Sequence, residues 1–230
     1  MSFTVSVSSQ PPGKSSCTFT FGPSTISSGV TNTVFLSVST PSGSGTEFKD
    51  VKVPKENILG VASKGHWVAY TGLISGRIGV ATGCVGVMEE CLNVVIERAK
   101  TRWQHGKPIG KHQLVQMHIV QIAMNLEMAR WPTYVAAFKV SEWEKDPFNR
   151  ELRLDLDQAS ALAKRIASGL AFDSADRAVQ VFGGFGYSIL SRAGRHFLDT
   201  RAARLYEGTD EIMGLKIASG VLGREFEAYK

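Results

Sequence analysis

A short polar segment near the C-terminus, Tyr206–Asp210, contains the residue best suited to catalysis. Thr209 is a good helix N-cap, because its hydroxyl can accept a backbone N–H of the first turn, and Glu211 then opens an apolar-periodic segment. Glu207 falls just before that helix, on a turn that Gly208 makes permissive. A carboxylate that faces an apolar cavity is a general-base candidate. The residues alone leave a second interpretation open, in which Glu207 is a solvated side chain before a helix.

Other catalytic patterns are absent from the sequence. The histidines show no HExxH or CxxC-type spacing, so no metal site is predicted. No Gly-x-Ser-x-Gly or phosphate-loop motif occurs. The run Gly183–Gly186 follows a helical pattern rather than a strand, which argues against a Rossmann fingerprint and favours a helix cap followed by a turn. The five histidines are His66, His105, His112, His118 and His196.

The composition is that of a globular protein with a mild positive charge. Of the 230 residues 43% are hydrophobic, and the formal net charge is +5. Since no Lys/Arg run occurs, nucleic-acid binding is not predicted, whereas anionic small molecules such as nucleotides or coenzyme A suit the charge. No secretory signal and no apolar run of membrane-spanning length are apparent, so an intracellular, soluble protein is expected. Mitochondrial, peroxisomal and cytoplasmic locations all stay open.

The cysteines favour a reducing environment, which agrees with an intracellular location. There are three, an odd number. Cys84 and Cys91 lie two turns apart on a predicted helix, about 10 Å, which is too far for a disulfide. A disulfide framework is therefore not expected.

Two regions that differ in composition and periodicity determine the predicted domain organisation. Residues 1–62 are rich in Ser, Thr, Gly and Val, with short alternating runs typical of strands, such as Thr18–Phe21 and Val34–Val38. Residues 63–230 have helical periodicity. The predicted fold is mainly α: an antiparallel four-helix-type bundle preceded by a small β remnant. The four predicted helices are Trp67–Ile96, Leu114–Val140, Leu156–Val181 and Asp210–Phe226.

Several motifs follow one another in an order that identifies a family. Together they resemble the acyl-CoA dehydrogenase family from about residue 46 to residue 226, the C-terminal part of its members. The matching segments are residues 47–60, Gly76–Ala81, Arg102–Ile109 with Gln113, Gln180–Tyr187, and Asp199 with Arg201 before Tyr206–Thr209.

The resemblance implies an FAD-dependent dehydrogenation of an acyl-CoA thioester. Glu207 would remove the α-proton while a β-hydride passes to the flavin. Tyr206 and Gly208 would adjoin the substrate, and Arg77 would contact its coenzyme A part. The resemblance places two further residues, Thr209 and Glu211, against the FAD phosphates and adenosine region.

The same resemblance implies that FAD is shared between chains. Five residues match cofactor-binding positions of the family, and all of them except Gly183 match positions that hold the flavin of a neighbouring subunit, which implies a homodimer or homotetramer, with a hetero-oligomer as an alternative. Electron-transfer flavoprotein or oxygen would be the electron acceptor. On pattern alone Arg102 could instead form a surface salt bridge, and Gln180 could cap a helix end. The five residues are Arg102, Gln113, Gln180, Gly183 and Gly184.

Departures from the family pattern leave a competing hypothesis. The family's N-terminal helical domain and most of its middle β-domain have no counterpart, so this chain is expected to hold FAD weakly by itself. Ile74 stands where the family has an Asp near Arg77, which weakens the expected coenzyme A contacts. The alternative function is a partner-dependent or non-catalytic helical subunit. Oxidation of a substrate other than a thioester is a further alternative, although nitroalkane-oxidising relatives carry Asp where this chain has Glu207.

Overall fold

A computed structural model describes residues 33–38, 48–59 and 65–228 of the chain. It divides into two compact units, Met1–Tyr70 and Thr71–Lys230. In the first unit, strands β1 (Thr33–Val38) and β2 (Phe48–Pro54) pair antiparallel, with a register shift between the pairs Leu36–Val51 and Val38–Phe48. The predicted run Val34–Val38 is therefore a strand, whereas Thr18–Phe21 lies outside the described residues.

The second unit is built from helices, which confirms the predicted fold class. Proline and glycine breaks end the helices near the predicted places, and Lys107–Pro108 lies in a small hairpin of strands β3 and β4. Sequence periodicity missed α4 as a separate helix and extended the last helix too far. The helices are α1 (Gly65–Thr101), α2 (Gln113–Lys145), α3 (Arg150–Phe182), α4 (Arg192–Ala203) and α5 (Asp210–Leu222), and the strands are β3 (Trp103–Gln104) and β4 (Lys107–Pro108).

Contacts along the helices give the bundle its up-and-down order. Lys139 and Asn125 of α2 bond to Asp155 and Asp173 of α3, so these two helices are antiparallel. Helix α4 runs antiparallel to α1, since its first residue, Arg192, bonds to Glu90 at 2.5 Å, while Glu207, just after its end, lies against Gly76. The short turns between long helices are what antiparallel packing requires.

Small side chains make up most of the core. On α3 a row of alanines recurs every three or four residues and is fully buried, so the neighbouring helices approach its backbone closely. Cys84 and Met88 of α1 and Leu126 of α2 fill the remaining space. The row consists of Ala163, Ala167, Ala171, Ala175 and Ala178.

Cys84 and Cys91 are both free and buried in α1, as the spacing predicted. Burial raises the pKa of Cys84 to about 11 and that of Cys91 to about 12, so both thiols stay protonated and unreactive at neutral pH. Cys17 lies outside the described residues.

By length and composition alone, α1 is long and apolar enough between Val68 and Thr101 to cross a membrane. The expectation that no apolar run reaches such a length is wrong for this helix. A single helix of this kind is weak evidence for a span, because core helices of soluble proteins meet the same test. Cys84, Met88 and Cys91 of this helix are buried against the bundle.

One ion-pair cluster links three helices inside the bundle. Asp157 of α3 accepts a hydrogen bond from Arg77 of α1 at 2.5 Å and one from Lys216 of α5 at 2.7 Å. The Arg77 side chain is only 3% exposed. Because a buried guanidinium needs a counter-charge, Asp157 is the residue on which this cluster depends.

We predict that Asp157→Ala lowers the free energy of unfolding by about 3 kcal/mol, since it leaves Arg77 buried without a carboxylate. Urea denaturation measures the change. The matched control is Glu142→Ala, which removes an exposed pair with Lys145 and should change the stability by less than about 1 kcal/mol. Equal losses in both variants would contradict the structural role of the cluster.

Candidate active site

The loop between α4 and α5 presents Glu207 in an unusual backbone conformation. Glu207 has a φ of 55°, in the left-handed region, and Gly208 follows with a φ of 98°. Any side chain at Gly208 would also collide with Met213, whose Cε lies 2.5 Å from the position of an added Cβ. A non-glycine residue with positive φ persists only where its surroundings hold it.

A buried lysine holds this loop. Lys164 of α3 is fully buried and donates a hydrogen bond to the Gly208 carbonyl at 2.6 Å. Burial lowers the pKa of Lys164, and the nearby Asp210 carboxylate opposes that shift. The cation therefore sits in an apolar core with one strong acceptor, and that acceptor is the backbone next to Glu207.

The start of α5 closes the loop from its other side. Thr209 is the N-cap, and its hydroxyl accepts the Ile212 N–H at 3.3 Å, as predicted from the sequence. Asp210 is only 6% exposed and pairs with Arg204 at 2.6 Å, so the two ends of the loop are joined. Glu211 is exposed, and hydrogen bonds from its own backbone N–H and from the Thr209 side chain lower the pKa of its carboxyl.

The Glu207 carboxylate lies against the backbone of α1. A Cβ added to Gly76 would stand 2.4 Å from Glu207 Oε2, so a larger residue at position 76 would displace the carboxylate from this place. Glu207 Oε2 is buried and has no hydrogen-bond partner in the described part of the chain. An unpartnered buried carboxylate oxygen is costly to maintain and is free to accept a hydrogen bond from a bound group.

This carboxylate opens on a cavity of about 450 Å³ between α1 and α4. Tyr206 also lines the cavity. Partial burial, and then the charges of Asp199 and Glu207, raise the pKa of its phenol, which stays a hydrogen-bond donor. The lining is formed by small and apolar residues of α1 on one side and by the α4 end on the other: Gly76, Gly79, Val80, Gly83, Cys84, Val87, Asp199, Thr200, Ala203, Tyr206 and Glu207.

Arg77 is not among the lining residues. The sequence led us to expect it at the coenzyme A part of a substrate, with its acidic partner lost at Ile74. In the structure the Arg77 side chain points into the bundle, and Asp157 of α3 supplies the carboxylate instead. A structural role for Arg77 thus replaces the expected substrate contact in the described conformation.

Five of the predicted cofactor residues gather at the opposite end of the bundle. They lie where α1 and α3 both end, and all five are exposed. Gly183 ends α3 with a φ of 66°, as a C-cap glycine does, which confirms the predicted helix end. Between Gly76 and Thr101, α1 rises about 38 Å, so this group is far from Glu207. The group consists of Arg102, Gln113, Gln180, Gly183 and Gly184.

A second cavity, of about 400 Å³, lies at this end. Arg98 stacks over the Phe182 ring, with its guanidinium carbon 5.4 Å from the ring centre, and both line the cavity. Arg98 Nε and Ser191 Oγ are buried without a partner among the described residues. Within the same residues no cluster of three or more His, Cys, Asp or Glu side chains could hold a metal ion.

Comparison with known proteins identifies the family to which the chain belongs. Residues 63–222 match the family described as acyl-CoA dehydrogenase, C-terminal domain. The chain belongs to the acyl-CoA dehydrogenase family. This confirms the resemblance drawn from the ordered motifs.

Individual relatives support the assignment to this family. The chain is 40% identical over 177 residues to the short-chain specific acyl-CoA dehydrogenase of Megasphaera elsdenii, which covers 77% of this chain and 43% of the relative. The solved butyryl-CoA dehydrogenase of the same organism aligns with a TM-score of 0.69 and 39% identity, over 76% of this chain and 43% of that one. An acyl-CoA dehydrogenase of Bacillus anthracis complexed with FAD aligns with a TM-score of 0.70 and 26% identity, over 76% and 32%. The chain thus spans less than half the length of these relatives.

Sequence reasoning missed two residues that shape the acyl-CoA dehydrogenase-like site. Gly76 appeared only as part of a motif, although its missing side chain makes room for Glu207. Lys164 was not singled out at all. The sequence pattern that could have revealed Lys164 is a charged residue on an apolar, alanine-rich helix face, next to Ala163 and three residues before Ala167.

We predict that Lys164→Met loosens the Glu207 loop. The Gly208 carbonyl loses its buried donor, at a local cost of about 1–3 kcal/mol, which corresponds to about fivefold or faster amide exchange over residues 204–212. Hydrogen exchange followed by mass spectrometry measures it. Lys139→Met is the control, because Lys139 pairs with Asp155 near the surface. Unchanged exchange at 204–212 would show that Lys164 does not hold the loop.

Proposed function

We propose that this chain carries the catalytic-base half of an FAD-dependent acyl-CoA dehydrogenase site. The observation that supports it most is the Glu207 carboxylate, with its unpartnered buried oxygen at the edge of an apolar cavity. The substrate is an acyl-CoA thioester and the product its α,β-unsaturated counterpart. Since a thioester α-proton is only weakly acidic, the base must act in a dry, preorganised site.

Each residue around the cavity has a defined part in this proposal. Glu207 Oε2 takes the proton as the α C–H bond breaks, and the β-hydrogen leaves with its electron pair. A bound FAD would supply the two-electron acceptor for that hydride. Lys164 and the Thr209 cap hold the loop, so the backbone N–H of Glu207 keeps a constant direction toward the thioester carbonyl. Tyr206 and Gly208 adjoin the acyl group.

The residues at the opposite end of the bundle fit a nucleotide cofactor. Arg102 has no acidic partner within the described part of the chain, so its planar guanidinium is available to a phosphate. Gln113 and Gln180 expose amides, and a Cβ added at Gly183 or Gly184 would meet nothing within 4 Å. We infer that FAD contacts these five residues, and that Thr209 and Glu211 contact FAD at the Glu207 end.

The separation of the two ends supports a shared cofactor. One FAD molecule cannot span the roughly 38 Å between them along α1. Each end would therefore contact a different FAD, which requires at least two chains. The proposed assembly is a soluble homodimer or homotetramer, located inside the cell.

One face of α2 supports association as well. Large apolar side chains recur on it at helical spacing and are about half exposed or more. This face also favours the competing function, a partner-dependent helical subunit without its own flavin site. The residues are Met117, Met124, Met128, Trp131, Val135 and Phe138.

We predict that Glu207→Gln retains bound FAD but slows acyl-CoA-driven bleaching of the flavin by about 10²- to 10⁴-fold, because glutamine cannot accept the α-proton. Visible absorbance of the chain reconstituted with FAD is the measurement. Glu89→Gln, on the exposed surface of α1, should bleach like the wild type. Normal bleaching in Glu207→Gln would remove this residue from the mechanism.

We predict that Arg102→Ala weakens FAD retention about tenfold or more, since a charged bidentate contact to phosphate is lost. Ultrafiltration followed by flavin fluorescence measures the dissociation constant. Arg150→Ala, at the exposed start of α3, is the control. A wild-type chain that stays colourless with excess FAD would instead support the non-catalytic subunit.

A further inference from the structure

The second cavity, about 400 Å³ in volume, lies at the end of α1, and residues outside the proposed flavin site line it. Its α1 wall is a single helix face, because the residues that form it are spaced by three or four positions. The opposite wall combines the end of α3 and the turn after it with the start of α4. None of the five residues proposed to hold FAD at this end lines the cavity, so it is a separate candidate site. The α1 residues are Val94, Glu97, Arg98 and Thr101.

Arg98 is a cation without a counter-charge in the described part of the chain. Its Nε is buried and has no hydrogen-bond partner there, and none of the ion pairs there includes Arg98. The guanidinium carbon lies 5.4 Å from the centre of the Phe182 ring, so the cation rests over an aromatic face. Stacking of this kind leaves the N–H groups at the edge of the guanidinium plane free to donate. Arg98 is therefore preorganised for an anionic acceptor.

Ser191 adds a second donor from the α4 side of the cavity. It is only 2% exposed, and its Oγ has no hydrogen-bond partner among the described residues. Ser191 is the N-cap of α4, yet its hydroxyl bonds to no backbone N–H of the first turn, and that turn contains no acidic residue. The positive end of the α4 dipole is therefore not neutralised by its own first turn, which favours an anion at this place.

The charges on the walls favour a monoanion. Arg192, the other cation of the lining, is already bonded to Glu90 at 2.5 Å. Glu97 is exposed on the same wall as Arg98, so a doubly charged phosphate would meet an additional repulsion there. One guanidinium and one hydroxyl supply the donors that the two oxygens of a carboxylate accept.

The rest of the lining is mostly apolar. Phe185 is 53% exposed and Leu190 is 79% exposed, so two large apolar side chains of the lining reach solvent, while Val94 is buried. A ligand with an apolar body would cover them, and a flat ring suits the face of Phe185. The volume of about 400 Å³ falls within the range of small-molecule sites.

We propose that this cavity binds a small aromatic carboxylate. The carboxylate accepts hydrogen bonds from Arg98 and Ser191 beside the start of α4, and the ring packs on Phe185 and Leu190. The ligand is neither the thioester nor FAD, so this site adds a second ligand to the proposed function and does not depend on it.

Ligand-detected NMR on the full chain tests the proposal, with benzoate as the probe. Benzamide has the same ring but no charge, and its dissociation constant should be about tenfold higher or more, since the charge-assisted bond to Arg98 is lost. Acetate and inorganic phosphate should also bind more weakly than benzoate, because neither brings an apolar ring to the lining.

Arg98→Met should raise the dissociation constant of benzoate about tenfold, and Ser191→Ala should raise it about threefold. Leu190→Glu tests the same point without changing a buried residue, because it places a carboxylate at an exposed position of the lining. It should raise the constant about threefold or more by repulsion. Leu198→Glu is the matched control: Leu198 is exposed on α4 and lines neither cavity. This control should bind benzoate as the wild type does.

The possible outcomes separate this site from the proposed function. No binding of benzoate, equal affinity for benzoate and benzamide, or unchanged benzoate affinity in Leu190→Glu or in a folded Arg98→Met would each overturn the proposal. Release of benzoate by FAD would overturn it too, since the cavity would then belong to the cofactor site. Benzoate binding that survives Arg102→Ala would support a site apart from the flavin contacts. A chain that binds benzoate through Arg98 but takes up no FAD would support this site and reject the proposed function.

Discussion

The hydrogen bond from Lys164 to the Gly208 carbonyl is the contact on which the candidate site depends. It places a cation within an alanine-lined core, where an unpaired charge would be strongly unfavourable. Its acceptor follows directly after Glu207, whose backbone adopts a left-handed conformation that a glutamate disfavours. The loop thus holds Glu207 in a strained conformation, and the strain is balanced by a buried charge-assisted bond and by the Asp210–Arg204 pair behind it.

Small residues explain how the site fits between the helices. Alanines on α3 let α1 and α4 approach closely, so Lys164 can reach across to the loop. Glycines on the other side of α1 do the opposite and leave space, first for the Glu207 carboxylate at Gly76 and then for the cavity beyond it. Helix α1 therefore packs tightly on the face that points to the core and leaves a cavity open on its adjacent face. The difference lies in whether the residues at the contact carry a methyl group or only a hydrogen atom.

The length of α1 separates the two candidate sites. Its N-terminal half carries the wall against which Glu207 acts, and its C-terminal end presents Arg102 beside the turn after α3. These ends lie about 38 Å apart along the helix, and this separation is the reason for proposing a cofactor shared between chains. The exposed apolar face of α2 is consistent with such an assembly, since a surface of this kind is rarely left in water.

Periodicity and turn residues were sufficient to predict the helical bundle, the glycine end of α3 and the Thr209 cap, because these features depend on neighbours within one or two turns of the chain. The ordered motifs were sufficient to identify the family, and they placed Glu207 among the candidates. Tertiary structure alone decided which partners those residues have. Asp157 lies eighty residues from Arg77, and Gly76 lies far in sequence from Glu207, so no local pattern could reveal that one arginine is buried in an ion pair and that one glycine makes room for a carboxylate. The helix α4 and the cavity beside it could likewise not be predicted. A cavity forms where small residues are brought together, and only folding brings these positions together.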